Sequence, residues 1–283
     1  MALARGLSVE DFGLFYAVFA FLALLGVFKS FGFDRSLIKF VPEFLHTKKY
    51  GFIKSSIIYS TVFQLITNFV IIVLIYLLSN YISLNLFHTQ KADIVLKLMA
   101  IAFFIDSFVN TLKFSFQGFQ RMTLFAGIDA IRMLMILLIV IIGLKLNYGM
   151  FSPIAAYIMA QSILLVVFGW ILIKKVFPKF IGSKFILDRN LFKKIAKYSI
   201  FVMVSGTAAI ILGYTDTMVL TYFSGLTAVA MYNVALPTAK ILIYLPTAIG
   251  SVLLPLTSEL WAKKEEKLLK AGMDLLYKYS FII

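Results

Sequence analysis

Residues Gly225 to Glu259 read GLTAVAMYNVALPTAKILIYLPTAIGSVLLPLTSE. The run is almost wholly apolar and longer than the roughly 20 helical residues that cross a hydrocarbon core of ~30 Å. Within it Asn233, Pro237, Lys240, Tyr244, Thr247 and Ser251 recur at alternating steps of four and three, which places them on one helix face. An amide, a cation, a phenol and two hydroxyls on one side of a membrane helix predict a wet cavity rather than lipid. Pro237, Pro246 and Pro255 each remove a backbone donor, so this helix is expected to kink or break locally.

The rest of the chain has the same character. Of its 283 residues 61% are hydrophobic and 14% charged, with mean hydropathy +0.96. Soluble domains average roughly 45–50% apolar and about 25% charged residues, so this is an integral membrane protein. Apolar runs of such length exclude a β-barrel, whose strands are short and alternating. The chain has no cysteine, which excludes disulfides and thiolate metal sites. MALARGLSVEDFG carries no apolar core of a signal peptide. The chain ends just inside another hydrophobic segment, and both ends read as cut from a longer protein.

Seven apolar segments read as spanning helices: Phe12–Phe31, Phe52–Leu78, Ile94–Phe116, Leu124–Leu144, Pro153–Ile173, Tyr198–Phe223 and Ala228–Leu256, with another beginning near Gly272. Loops alternate in charge. Lys29, Arg35, Lys39, Lys48, Lys49 and Lys54 mark the first basic zone, Lys113 and Arg121 the second. Eight Lys and Arg residues between Lys174 and Lys197 form the third, and Lys263, Lys264, Lys267, Lys270 and Lys278 the fourth. The other side holds only Arg5, Lys91, Lys97 and Lys145. The basic loops are therefore cytoplasmic and the protein is expected in the cytoplasmic membrane. Topology and attraction to anionic headgroups account for the +14 net charge, so nucleic acid is not expected as a partner. In the longest loop, Leu187, Leu191, Phe192, Ile195 and Ala196 share a face opposite Arg189, Lys193, Lys194 and Lys197. This predicts an amphipathic helix on the cytoplasmic surface. The expected fold is an all-α polytopic transmembrane bundle: residues 1–173 form a first bundle, 174–197 a linker, and 198–283 the start of a second.

A charged side chain at the centre of a membrane helix costs about 2.5–3.5 kcal/mol on insertion scales, so each one asks for a role. Lys240 lies near the midplane. Arg132 lies about nine residues, or ~13 Å, from the cytoplasmic end of its helix, with Asp129 three residues before it as a candidate partner. Asp106, Asn110 and Lys113 share one face of the third segment; Thr61, Gln64 and Asn68 share one on the second; Asp216 lies below the outer loop. As a functional set, Lys240 and Arg132 would hold a phosphate or diphosphate, with Asn233, Tyr244, Asn68 and Gln64 toward a sugar and Arg35 at the cytoplasmic mouth. Asp106, Asp129 or Asp216 would bind a coupling Na⁺ or H⁺. As structural elements, Arg132 pairs with Asp129 or reaches the surface, Lys113 snorkels, Gln64, Asn68 and Asn110 bond between helices, Asp216 caps local structure, and Arg35 and Lys39 mark topology. His46 and His88 fall on opposite sides, and no H-E-x-x-H, G-x-S-x-G, phosphate loop or C-x-x-C occurs, so neither catalysis, a metal nor a cofactor is expected.

Two stretches carry a resemblance. ARGLSVEDFGLF (Ala4–Phe15) precedes an apolar helix and then GFDRSLIKFVPE (Gly32–Glu43). DTMVL (Asp216–Leu220) and GLTAVAMYNVA (Gly225–Ala235) precede a helix closing on PLTSEL (Pro255–Leu260), with QGFQR (Gln117–Arg121) between the two. In this order and spacing the chain resembles polysaccharide-biosynthesis flippases, the O-antigen type of the multidrug/oligosaccharidyl-lipid/polysaccharide exporter superfamily. The resemblance implies two bundles that move a lipid-linked oligosaccharide from the cytoplasmic to the outer leaflet by alternating access. It implies that this chain holds the tail of helix 1, helices 2–8 and the start of helix 9. An exporter of amphipathic drugs, a membrane polymerase or acyltransferase, and a non-transporting gene fragment are the alternatives. SVEDFGLF (Ser8–Phe15) and GLTAVAMY (Gly225–Tyr232) also share an apolar–small–apolar–aromatic ending before an inward-running helix, as repeats of a transporter would.

Overall fold

The computed structural model describes residues 2–242, with Leu268, Lys270 and Gly272 beyond them. The chain divides into two compact units, Met1–Asn233 and Val234–Ile283. The first is built of α1 (Ala2–Gly6), α2 (Val9–Leu25), α3 (Val27–Ser30), α4 (Phe33–His46), α5 (Tyr50–Asn85), α6 (Lys91–Gly118), α7 (Met122–Lys145), α8 (Phe151–Ile171), α9 (Lys179–Gly182) and α10 (Arg189–Phe223). A π-helical turn, Leu172–Val176, extends α8. No strand occurs among the described residues, and the all-α polytopic bundle is as expected. Residues 225–242 are helical, Pro237 included. Tyr244, Pro246, Thr247, Ser251 and Pro255, together with Lys263, Lys264, Lys267 and Lys278 of the last basic zone, lie outside the described residues. In the second unit residues 234–242 are helical and Lys240 is exposed.

Among the described residues, α5, α7, α8 with its π-turn, and α10 are long and apolar enough to cross a membrane. At 17 residues α2 is shorter, and α6 carries Lys97, Asp106 and Lys113 within its 28 residues. Leu77, Met133 and Val166 are each more than 70% exposed, as side chains facing lipid would be. The loops sort to two ends, as the charge alternation requires. At one end Phe119 and Tyr50 pack on Phe177, Phe40 on Tyr198, and Lys54 donates to the Ser183 carbonyl at 2.9 Å. At the other, Phe21 meets Phe87, His88 meets Tyr222, and Gly143 closes on Ser152. Each end has its own apolar core. Leu37, Phe40, Ile53, Phe116, Phe168 and Ile195 fill the basic end; Leu14, Phe15, Leu22, Leu96, Met99 and Val229 fill the other.

Two elements differ from the sequence reading. The first segment, Phe12–Phe31, is not one helix. It breaks after Leu25, resumes as α3, and reverses at Phe31 and Gly32, whose φ values of 47° and 77° are left-handed. Glycine takes that conformation without strain. A Cβ on Gly32 would also lie 2.4 Å from the Ser199 carbonyl oxygen of α10. The stretch after the break, expected as loop, is α4. Phe33, Leu37, Phe40, Val41 and Phe44 recur at helical spacing and bury against α5 and α6. The second difference concerns the amphipathic stretch, whose apolar face is real: Leu191 and Ile195 are buried. That stretch is the first turns of α10, capped by Asp188 and continuous with the span, because nothing between Lys197 and Tyr198 stops a helix.

Candidate functional site

The break after α3 releases a carbonyl, and α5 answers it. Thr67 Oγ1 and Asn68 Nδ2 donate to the Lys29 carbonyl at 2.8 and 3.1 Å. This fixes Lys29 where its side chain, 9% exposed, points between the two apolar cores. Its Nζ lies 2.5 Å from Asp106 Oδ2 and over the Phe103 ring at 4.4 Å. Asp106 stands on α6 between the Leu96–Met99 part of one core and the Val109–Phe116 part of the other. Four groups from four elements converge on its carboxylate. Lys29 of α3 and Asn110 Nδ2 of α6 (2.8 Å) reach Oδ2; Gln161 Nε2 of α8 (2.8 Å) and Arg132 Nη1 of α7 (3.2 Å) reach Oδ1. Next to it Lys113 pairs with Asp129, which lies 3.9 Å from Arg132.

Lys29, Asp106, Asn110, Lys113, Arg132 and Gln161 line a cavity of about 570 Å³ inside the first unit. Its charged wall holds Lys29, Arg35, Lys113 and Arg132 against Asp34 and Asp106, so cations outnumber carboxylates. Asp34, in α4 beyond the break, is buried. Burial pushes its carboxyl above the ordinary range, against the lowering effects of the Ser30 hydroxyl and the Arg35 N–H. Arg35 extends along α10, its Nη1 only 2.6 Å from where a Gly206 Cβ would stand. The opposite wall is neutral: Val202, Met203, Gly206, Thr207, Ile210 and Tyr214 of α10. At the end away from the basic loops, Phe15, Tyr16, Phe19, Tyr157 and Tyr214 pack ring on ring, with centroids 5.5–6.3 Å apart. There Gly13 of α2 lets the Leu226 carbonyl approach to 2.0 Å from its would-be Cβ. The two segments noted for their similarity, Ser8–Phe15 and Gly225–Tyr232, are thus in contact.

The structure brings Arg132, Arg35 and Asp106 together in this cavity. Asp129 stands behind it, closest to Lys113 of α6, with the expected pairing to Arg132 of its own helix present at 3.9 Å. Gln64 and Asn68 lie between helices instead: Gln64 donates to Thr111 at 2.7 Å, and Asn68 holds the Lys29 and Gln64 carbonyls. Asn233 is buried against α10, donating to Val229 at 3.0 Å. Asp216 is on the surface, accepting from the Tyr232 hydroxyl at 2.8 Å. Lys240 belongs to the second unit, and Tyr244 lies outside the described residues. Lys29, Lys113, Gln161, Tyr157 and Tyr214 join the site without having been singled out for it. Lys29 counts among the loop charges by sidedness, yet it falls inside the apolar segment Phe12–Phe31, and that position is the available signal.

Long apolar helices around a charged cavity of about 570 Å³ define a polytopic membrane protein with an internal polar site. Residues 1–261 match the family described as "Polysaccharide biosynthesis protein", and the chain belongs to that family. It is 35% identical, over 285 aligned positions, to an uncharacterised membrane protein of Methanocaldococcus jannaschii. The alignment covers 96% of this chain and 56% of that relative, so the chain spans little more than half the relative's length. No solved structure matches the chain.

Proposed function

We propose that the protein acts, alone or as part of a longer transporter, in carrying a lipid-linked oligosaccharide from the cytoplasmic to the outer leaflet of the cytoplasmic membrane. The carrying observation is the cavity's charge balance: Lys29, Arg35, Lys113 and Arg132 against Asp34 and Asp106. A phosphate or diphosphate headgroup is anionic and finds there the cations that offset its desolvation. Export of amphipathic cations needs the opposite balance. A polymerase or acyltransferase needs a catalytic pair, and the segments between spans on the non-basic side are short. Of the candidate ion-coupling carboxylates, Asp106 is the one on the cavity wall; Na⁺ or H⁺ coupling through it belongs to this proposal. The test is reconstitution of the intact protein in vesicles with a fluorescent lipid-linked oligosaccharide. Headgroups are expected to become accessible to a membrane-impermeant quencher at a rate reduced at least about tenfold by Arg132→Gln, the effect of losing a charge-assisted contact. Folded protein that moves no headgroup refutes the proposal.

A further inference from the structure

We infer that Asp106 is a built-in stand-in for an oxyanion. Its carboxylate occupies a cradle that a phosphate group also fits, and the two compete for Lys29 and Arg132. The inference rests on the cavity being the passage for an anionic headgroup, and it adds how that site is kept from holding its ligand too tightly.

The donor set is the first ground. One carboxylate collects an ammonium, a guanidinium and two amide N–H donors from α3, α7, α6 and α8, at 2.5 to 3.2 Å. Convergent charged and neutral donors of this kind are what phosphate oxygens require. Arg132 is the second. Asp106 engages only its Nη1, while Nε and Nη2, which form the flat edge suited to a bidentate oxyanion, are buried and unpartnered among the described residues. Gln161, 2% exposed, likewise has an unpartnered Oε1, an acceptor for a protonated phosphate or a hydroxyl. The cradle therefore has capacity that Asp106 does not use. The third ground is energetic. Lys29 and Arg132 facing low-dielectric surroundings with no anion would be costly. With no competitor, a phosphate once bound there would leave slowly. A site for passage must bind well enough to admit its ligand and weakly enough to release it. An internal carboxylate meets both demands, since it neutralises the cations between ligands and reclaims them as the ligand departs.

The test is equilibrium binding of inorganic pyrophosphate and of a short prenyl diphosphate to the intact protein in lipid nanodiscs. Asp106→Asn is expected to tighten binding at least about tenfold, because it frees two cations and removes a like charge. In an Arg132→Gln background the gain is expected to shrink to less than about threefold. The chain has no cysteine, so Asp106→Cys allows the charge to be put back. Modification with a sulfonatoethyl thiosulfonate returns affinity toward that of the unsubstituted protein, and the neutral hydroxyethyl reagent of similar size leaves it high. Tightening for both ligands supports competition for phosphate itself; tightening for the prenyl ligand alone supports competition for a lipid headgroup. Unchanged or weaker binding by folded Asp106→Asn and Asp106→Cys overturns the inference, as does failure of both to fold, which would make Asp106 a structural tie. Vesicle translocation is scored separately, so loss of this inference leaves the transport reading standing, and failure of the transport reading shows in that assay and not in the binding of Asp106→Asn.

Discussion

Lys29 offers the sharpest test of the buried cluster. Lys29→Met keeps the side chain's length and removes its charge at a site 9% exposed. Asp106 then retains Arg132, Asn110 and Gln161 but loses the cation at 2.5 Å. Removing one partner of a buried pair costs about 3–5 kcal/mol when nothing replaces it. Here Arg132 stays and the Asp106 side chain is 22% exposed to the cavity, so about half of that cost, ~2 kcal/mol, is expected. Asp106→Asn leaves an ammonium beside an amide and costs a similar amount. The double variant removes both charges together, and its loss is expected to fall short of the sum by about 1–3 kcal/mol. The assay is denaturant unfolding of the purified protein in one detergent, fitted for all four proteins. Lys194 and Glu43, 55% and 38% exposed and 2.7 Å apart, serve as the surface control; their coupling should stay below about 0.5 kcal/mol. Additivity at Lys29 and Asp106 within ~0.5 kcal/mol would refute the argument that the pair holds α3 to α6.

Three further outcomes follow from the geometry. Gly32→Ala should lower stability by about 2–4 kcal/mol, since it strains a left-handed φ of 77° and drives a methyl against the Ser199 carbonyl; a change in unfolding midpoint under ~0.5 kcal/mol equivalent would contradict it. Gly206→Leu pushes on the tip of a flexible side chain, Arg35 Nη1, not on backbone. It should therefore fold normally and weaken pyrophosphate binding several-fold, and unaltered binding would remove Arg35 from the anion's path. In this cysteine-free chain, single cysteines at the exposed positions Lys184 and Asn147 should react with an impermeant maleimide from opposite sides, Lys184→Cys from the cytoplasm. Labelling of both from one side would overturn the topology.

The spans were legible because each is a long apolar run, and their sidedness because Lys and Arg alternate between loops. The break after Leu25 was not, because apolarity continues through Leu25, Val27 and Phe28; and Phe31–Gly32, read as the end of a span, is a left-handed reversal into another helix that only backbone handedness records. Helix α4 was legible in principle: Phe33, Leu37, Phe40 and Phe44 keep a helical period that the neighbouring charges concealed. In the site, Arg132 and Asp106 stood out as charges in apolar runs. Their connection did not, because Lys29 and Gln161 come from elements far away in sequence. Spacing of three residues suggested Asp129 as the partner of Arg132, and the two lie 3.9 Å apart; Lys113 reaches Asp129 more closely across the helix interface, and Arg132 reaches Asp106 at 3.2 Å. Position along one helix identifies candidates; which of them meet is decided by packing between helices.

That packing leaves the cavity asymmetric. The four groups on Asp106 come from α3, α6, α7 and α8, and α10 supplies none of them. What α10 brings is a neutral wall running from Val202 to Tyr214, and it is seated there by two glycines. Gly32 admits the Ser199 carbonyl near the basic end, and Gly13 admits the Leu226 carbonyl, just beyond α10, at the other. Small residues at helix crossings let backbones approach closely without committing a side chain to either partner. The charge cluster therefore ties α3, α6 and α7 through salt bridges and α8 through the Gln161 hydrogen bond, while the contacts of α10 across the cavity rest on backbone approach and apolar packing. On the reading proposed above, a phosphate sits against the tied wall and the neutral part of the molecule faces α10, whose Thr207 and Tyr214 hydroxyls are the polar groups available to a sugar.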